Sequence, residues 1–239
     1  MTSRSTEISP RQAARIAGSA NLIVFVLAIF ANFFVVEGLI EPGDAAATAA
    51  NIVDSEGLFR SGLVAFTVVF VLDLVITWAL YVFFRTVSRD LSLLTALFRL
   101  VYTALLGVAL IGFFLVLQLV SGAEHLAVFE PGQLDAQVML VLDGFNYGWL
   151  IGLACFGVHL ILLGYLILKS GFIPRVLGIL LLLAGAGYVI DTLANALLAN
   201  YDDFATVFLL IVAVPSVVGE LAFTIWLLWR GGKAQEALA

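Results

Sequence analysis

Four ionisable side chains fall deep inside long apolar segments of this sequence, namely Asp73, Arg99, His159 and Glu220. A charged side chain at the centre of a lipid-facing helix costs about 2.5–3.5 kcal/mol on insertion scales, so such residues tend to face a protein interior. Carboxylates, a guanidinium and an imidazole are also groups that hold protons or bind small anions. Their types therefore indicate a buried polar site.

The spacing of these four residues predicts one common depth. Each lies about ten to twelve residues from the basic residue that bounds its apolar segment, which at ~1.5 Å of helical rise per residue is roughly 15–18 Å, near mid-bilayer. In the order given above, the bounding residues are Arg85, Arg89, Lys169 and Arg230. We call the four residues the buried layer.

Within the buried layer, Arg99 is expected to pair with Asp73, with Glu220, or with both. The segments that carry Asp73 and Arg99 are joined by a short link, which makes them antiparallel neighbours. Tyr102 follows Arg99, and Thr77 follows Asp73, at helical spacing on the same faces. Both are expected to add hydrogen bonds to the layer.

The charges of the buried layer do not balance. Two carboxylates face one arginine, so that with a neutral His159 the layer has one excess negative charge, which a bound proton would neutralise. Proton binding linked to a conformational change is one interpretation. The other is structural, since buried polar clusters can simply fix helix register.

A second polar group is predicted nearer the opposite membrane face. Asp191 shares a helical face with Tyr188 and Asn195 in the fifth apolar segment, and Arg60 stands at the start of the second. We expect these four residues to form an outer vestibule.

The elements that position these side chains are transmembrane helices. The chain of 239 residues is 63% hydrophobic and 12% charged, against about half and a quarter in soluble domains. Six apolar segments each reach the ~20 residues that a spanning helix needs; they are 16–38, 60–84, 93–120, 138–168, 176–199 and 204–229. The expected fold is an all-α integral membrane protein, a six-helix bundle forming a single transmembrane domain over residues 1–239.

Basic residues alternate between connections and so predict orientation. The termini and alternate links hold Arg4, Arg11, Arg15, Arg85, Arg89, Lys169, Arg175, Arg230 and Lys233, whereas the other links are acidic. By the positive-inside rule both termini are cytoplasmic. The first acidic link has an alanine-rich stretch that favours a short surface helix, and the second could fold over the mouth of the bundle.

No catalytic fingerprint names a reaction. The sequence lacks a nucleophile elbow, a phosphate-binding loop and a dinucleotide motif. Cys155 and His159 share a helix face but fall short of a ligand set, so neither a metal nor another cofactor is expected. The basic residues match positive-inside charges, and no nucleic-acid partner is expected.

Several segments resemble the DUF4386 family, bacterial multi-pass membrane proteins with a domain of unknown function. They are LFRSG (58–62), LYVFFRTVS (80–88), LFRLVY (97–102), GVHLILLGYLI (157–167) and IPRVLGILLLLAGAGYVIDTL (173–193). The resemblance implies a six-helix domain and supplies no activity. The resemblance includes Arg60, Asp73, Arg99, His159 and Asp191. The role expected for Glu220 is based only on its depth in the membrane.

The leading hypothesis is a small transporter or permease-like protein of the bacterial cytoplasmic membrane. It would bind a small or lipophilic solute at the buried layer, with a linked proton carried by Asp73 and Glu220, while Arg99 binds an anion or locks a gate. One alternative is a membrane enzyme acting on a lipid or quinone, and another is a structural or accessory protein without a ligand. The expected surroundings are lipid, with a homo-oligomer as a candidate assembly.

Overall fold

The structure is a computed structural model that describes residues 8–231. Arg4 and Lys233, which contribute to the predicted orientation, lie outside the described residues. Within the described range the chain forms helices and no strand. The α-helices are α1 (Pro10–Ile29), α2 (Glu37–Leu39), α3 (Ala45–Asp54), α4 (Glu56–Phe84), α5 (Arg89–Ala109), α6 (Ile111–Leu119), α7 (Pro131–Ser170), α8 (Arg175–Leu197) and α9 (Ala205–Trp229).

Six helical stretches of residues 8–231 are long and apolar enough to cross a membrane. A π-helical segment, Phe30–Val36, joins α1 to α2, and α6 continues α5, so each of these pairs makes one span. The spans are Pro10–Leu39, Glu56–Phe84, Arg89–Leu119, Pro131–Ser170, Arg175–Leu197 and Tyr201–Trp229. The all-α six-helix membrane bundle predicted from the sequence is confirmed.

Polar caps explain why two spans begin earlier than hydropathy predicts. The Ser9 amide donates to Gln12 Oε1 at 2.9 Å and the Gln12 amide donates to Ser9 Oγ at 3.2 Å, a reciprocal capping box before α1. At α7 the Glu130 amide donates to Gln133 Oε1 at 3.1 Å. Each helix then opens on a proline, whose missing N–H costs nothing at that position.

The chain forms two compact units, each built from separate stretches of sequence. The first unit consists of the described residues of Met1–Leu22, Asp73–Val101 and Leu153–Ala239. The second consists of Ile23–Leu72 and Tyr102–Gly152. The prediction of a single transmembrane domain stays a prediction.

An aromatic cluster forms the core of the second unit. Phe113 stacks on Phe59 with ring centroids 4.7 Å apart and meets Phe145 edge-on at 4.8 Å, while Phe66 contacts Trp149 at 5.7 Å. The predicted surface helix is present as α3, where Asp44 accepts a hydrogen bond from the Ala47 amide at 2.9 Å. This cap satisfies an amide that the helix start leaves open.

Glycines bring α7 and α8 into backbone contact in the first unit. A Cβ built on Gly164 would lie 2.6 Å from the Gly178 carbonyl oxygen, and one built on Gly185 would lie 2.9 Å from the Ile161 amide nitrogen. Gly157 and Gly164 lie about two turns apart on α7, as do Gly178 and Gly185 on α8. Small residues at such spacing allow helices to approach closely in a membrane.

Replacing Gly164 with alanine should loosen this contact. The added methyl group meets backbone rather than a movable side chain, so Gly164→Ala should lower the free energy of unfolding by about 1–3 kcal/mol. Gly144→Ala is the matched control on the same helix, since its Cβ would meet open space and alanine favours helix. Chemical denaturation in mild detergent measures both; equal effects would contradict a tight α7–α8 contact.

The six spans also allow the predicted orientation to be tested. In a Cys155→Ala background, Ala127→Cys should react with a membrane-impermeant maleimide in intact cells, because the link before α7 is predicted to face outward. Thr86→Cys, in the link between α4 and α5, should react only after lysis. The reverse pattern would show that the termini are not cytoplasmic.

Candidate functional site

The first unit contains a buried ion pair between α4 and α5. Arg99 Nε donates to Asp73 Oδ1 at 3.1 Å, and Arg99 Nη2 donates to the same oxygen. Asp73 is 1% exposed and Arg99 is 5% exposed, so water does not screen this attraction. The link between Phe84 and Arg89 is short, and it therefore sets the two helices side by side. The predicted pairing of Arg99 with Asp73 is the contact observed.

His159 of α7 extends the pair into a chain of hydrogen bonds. Its Nδ1 lies 2.9 Å from the Thr95 carbonyl oxygen, which can only accept, so Nδ1 carries a proton. Its Nε2 lies 3.4 Å from Arg99 Nη1, which can only donate. A neutral ring protonated at Nδ1 satisfies both contacts, whereas a doubly protonated ring would set two donors against each other.

Phe156 covers the guanidinium, and the sequence-based prediction missed it. The Arg99 Cζ atom lies 5.4 Å from the centroid of the Phe156 ring, within the range of a cation–π contact. Phe156 also stacks on the His159 ring at 5.6 Å. It precedes His159 on the same face of α7, which is the signal that could have identified it.

Glu220 of α9 shares a small cavity with Arg99. The cavity has a volume of about 20 Å³, which is room for one water molecule. Glu220 is half-buried and close enough to Asp73 and Arg99 to interact with both charges. The remaining wall is mainly apolar, including Ile76 and Leu181. Arg99 thus contacts Asp73 directly and shares with Glu220 a space too small for a solute.

Asn21 is a second residue that the sequence-based prediction missed. It lines the same cavity from α1, and its Nδ2 donates to Thr224 Oγ1 at 2.6 Å. Thr224 Oγ1 in turn donates to the Glu220 carbonyl oxygen at 2.7 Å. A polar amide within the first apolar segment was the available signal, and its hydrogen bond ties α1 to the helix that carries Glu220.

The contacts observed for Thr77 and Tyr102 are a hydrogen bond to the backbone of Asp73 and a ring contact, respectively. Thr77 Oγ1 donates to the backbone carbonyl of Asp73 at 2.7 Å, because a threonine inside a helix readily bonds the carbonyl one turn earlier. Tyr102 is buried in the second unit, where its ring meets Trp149 edge-on at 6.1 Å. The geometric centre of the site is therefore Asp73, Arg99, His159 and Glu220.

Asp191 and Asn195 meet at a tyrosine that was not predicted. Tyr201 Oη donates to Asp191 Oδ1 at 2.6 Å, and Asn195 lies beside the same hydroxyl. The Tyr201 ring stacks on Phe208 at 5.3 Å. The tyrosine stands in the turn after α8, where a hydropathy pattern gives no reason to pair it with α8.

Tyr188 and Arg60, the other two residues of the predicted vestibule, have different neighbours. Tyr188 meets Phe156 edge-on at 5.6 Å and lies beside Ser216 and Glu220, which connects it to the buried layer. Arg60 belongs to the second unit and its Nε donates to Glu56 Oε1 at 2.6 Å. Among residues 8–231, no group of three or more His, Cys, Asp or Glu side chains could hold a metal ion.

Two arginine ion pairs, the buried Arg99–Asp73 pair and the exposed Arg60–Glu56 pair, allow a matched test of burial. Arg99→Met leaves Asp73 buried without its counter-charge and should lower the free energy of unfolding by about 3–5 kcal/mol. The Arg60–Glu56 pair has side chains 58% and 48% exposed, so Arg60→Met should cost less than about 1 kcal/mol. Chemical denaturation in detergent measures both. A cost for Arg99→Met as small as for Arg60→Met would contradict the view that Asp73 depends on Arg99 for its counter-charge.

Comparison with known proteins identifies relatives without a described activity. An uncharacterised protein of Archaeoglobus fulgidus is 30% identical over 177 residues, which cover 74% of this chain and 88% of the relative. No solved structure matches the chain. The model of a domain of unknown function, DUF4386, matches residues 16–231. The chain therefore belongs to the DUF4386 family.

Proposed function

We propose that this multi-pass membrane protein is a small permease-like protein in which Glu220 binds and releases a proton. The observation that carries the proposal is the excess carboxylate beside a satisfied ion pair. Arg99 is already held by Asp73, so Glu220 is the group whose charge the layer does not balance. An uncompensated charge that is partly removed from water is costly, and binding a proton removes that cost.

The size of the cavity limits what the layer binds in this conformation. About 20 Å³ accommodates one water molecule, whereas pockets for drug-sized ligands have volumes of about 300–1,000 Å³. The proposal therefore assigns a proton and a water molecule to the closed layer. Passage of a small or lipophilic solute requires the helices around Glu220 to separate.

The helix that carries Glu220 has features suited to such a movement. Pro215 lies inside α9 and cannot donate to the Ile211 carbonyl, which interrupts the helical ladder one turn before Glu220. The Ile211 carbonyl instead approaches Gly187 of α8, where a Cβ would lie 3.0 Å from it. In the proposal, neutralising Glu220 weakens its attraction to Arg99, and α9 then bends at Pro215, where the helical hydrogen bond is missing.

The proposed location is the bacterial cytoplasmic membrane, with both termini inside. This rests on the alternation of basic and acidic connections in the sequence. The family is defined by a domain of unknown function, and its members contribute no substrate to the proposal.

A second candidate function is that of a structural or accessory membrane protein. The specific observation in its favour is that Arg99 contacts Asp73, His159 and Phe156 at once. An arginine held by three neighbours is suited to a structural role, in which its contacts lock the packing of the helices. The two candidates differ in whether Glu220 exchanges a proton.

Infrared titration of the protein in lipid separates the two candidates. The proposal expects a protonated carboxylic acid band that appears on acidification and vanishes in Glu220→Gln. Glu41→Gln is the control, because Glu41 is an exposed acid between spans. A titration unchanged by Glu220→Gln would rule out proton exchange at this residue and leave the structural role.

A further inference from the structure

We propose that the second unit holds a separate binding site for a small amphipathic organic cation. The site is an open cavity of about 540 Å³ formed by α3, by the end of α6 and the link that follows it, and by the start of α7. This volume lies within the range of about 300–1,000 Å³ typical of small-molecule pockets. It is far larger than the cavity beside Glu220, and the proposal does not depend on the function proposed for that residue.

The lining of this cavity fits a ligand with an apolar body. Alanines of α3 form one wall, and Leu126, Phe129 and Val138 contribute apolar surface from the link and from α7. Of these, Val138 is fully buried, whereas Phe129 is exposed. A ligand that covers Phe129 would remove apolar surface from water, which favours binding.

Two carboxylates in the lining define the charge of the ligand. Asp54 and Asp135 both line the cavity, and neither makes an ion pair or a side-chain hydrogen bond with another residue of the 8–231 range. Asp54 is the last residue of α3, where the helix dipole adds partial negative charge. No lysine or arginine lines the cavity. An ammonium group therefore complements this site.

The charge of the whole second unit favours the same ligand. Its one lysine or arginine is Arg60, which is paired with Glu56. Its acidic residues are Glu37, Glu41, Asp44, Asp54, Glu56, Glu124, Glu130, Asp135 and Asp143. Such an excess of one sign attracts a cation and repels an anion. In the predicted orientation the cavity faces away from the cytoplasm.

Calorimetry with benzyltriethylammonium tests the proposal on the full chain in dodecyl maltoside, a detergent without an ammonium group, with protein-free detergent as the blank. We expect saturable binding of the cation and none of benzyl alcohol, its uncharged counterpart. The double variant Asp54→Asn, Asp135→Asn should weaken binding about tenfold or more, since both counter-charges are lost. Binding of benzyl alcohol with equal affinity, or no saturable binding of the cation, would overturn the proposal.

Two further variants distinguish the cavity from the general acidity of the surface. Glu124→Gln removes a charge from the same link but does not line the cavity, so its affinity should stay within about twofold of the wild type. Ala50→Trp should fill the cavity and abolish binding without a change in charge, with unaltered elution and circular dichroism as the check on folding. An equal loss in Glu124→Gln, or full binding in Ala50→Trp, would contradict the assignment.

A membrane lipid with an amine headgroup is the competing occupant. Native mass spectrometry of the purified protein decides between them, because a lipid held at Asp54 and Asp135 would be retained by the wild type and lost from the double variant. Retention of that kind would overturn the assignment to a free cation. No difference in bound lipid, together with saturable cation binding, would support it.

Discussion

The charge of Arg99 in the middle of a membrane span is the constraint on which the structure of the first unit depends. A guanidinium cannot lose its proton, so the fold has to supply a counter-charge, hydrogen-bond acceptors and an apolar cover at that depth. Asp73 supplies the charge, His159 the second acceptor and Phe156 the cover. Three helices, α4, α5 and α7, are thereby tied to one point.

The same constraint gives a reason for the glycine contact between α7 and α8. His159 reaches Arg99 only if α7 is held at a defined rotation, and Gly157 and Gly164 flank His159 on either side along the helix. Their backbone approach to Gly185 and Gly178 fixes that rotation by contact rather than by polar groups. The orientation of α7 is thus set both by its backbone contact with α8 and by the hydrogen bonds of His159 to α5.

Much of this arrangement could be predicted from the sequence, and the reasons for the failures are physical. Depth along a helix follows from a constant rise, and the short link between α4 and α5 makes these helices neighbours, so Asp73 could be named as a candidate partner of Arg99 while Glu220 stayed open as the other. The contribution of Tyr201 could not be predicted, because an aromatic ring in a turn of an apolar protein carries no pattern that marks its neighbours, whereas Phe156 was marked only by its helical spacing from His159. Tyr102 stays a prediction for the layer, because sharing a helix face with Arg99 does not fix which side chains a ring will meet, and the contact observed for this ring is with Trp149.

The cavity beside Glu220 and the cavity beside Asp54 and Asp135 differ in size because different elements line them. Helices line the cavity at Glu220. Because side chains between packed helices leave little empty space, this cavity has room for one water molecule beside one unbalanced charge. Connections and a short helix enclose the cavity at Asp54 and Asp135, and connections pack less closely. Since an ammonium group with an apolar body exceeds the volume of the first cavity, our two proposals assign such a cation to the second unit and a proton with a water molecule to the buried layer.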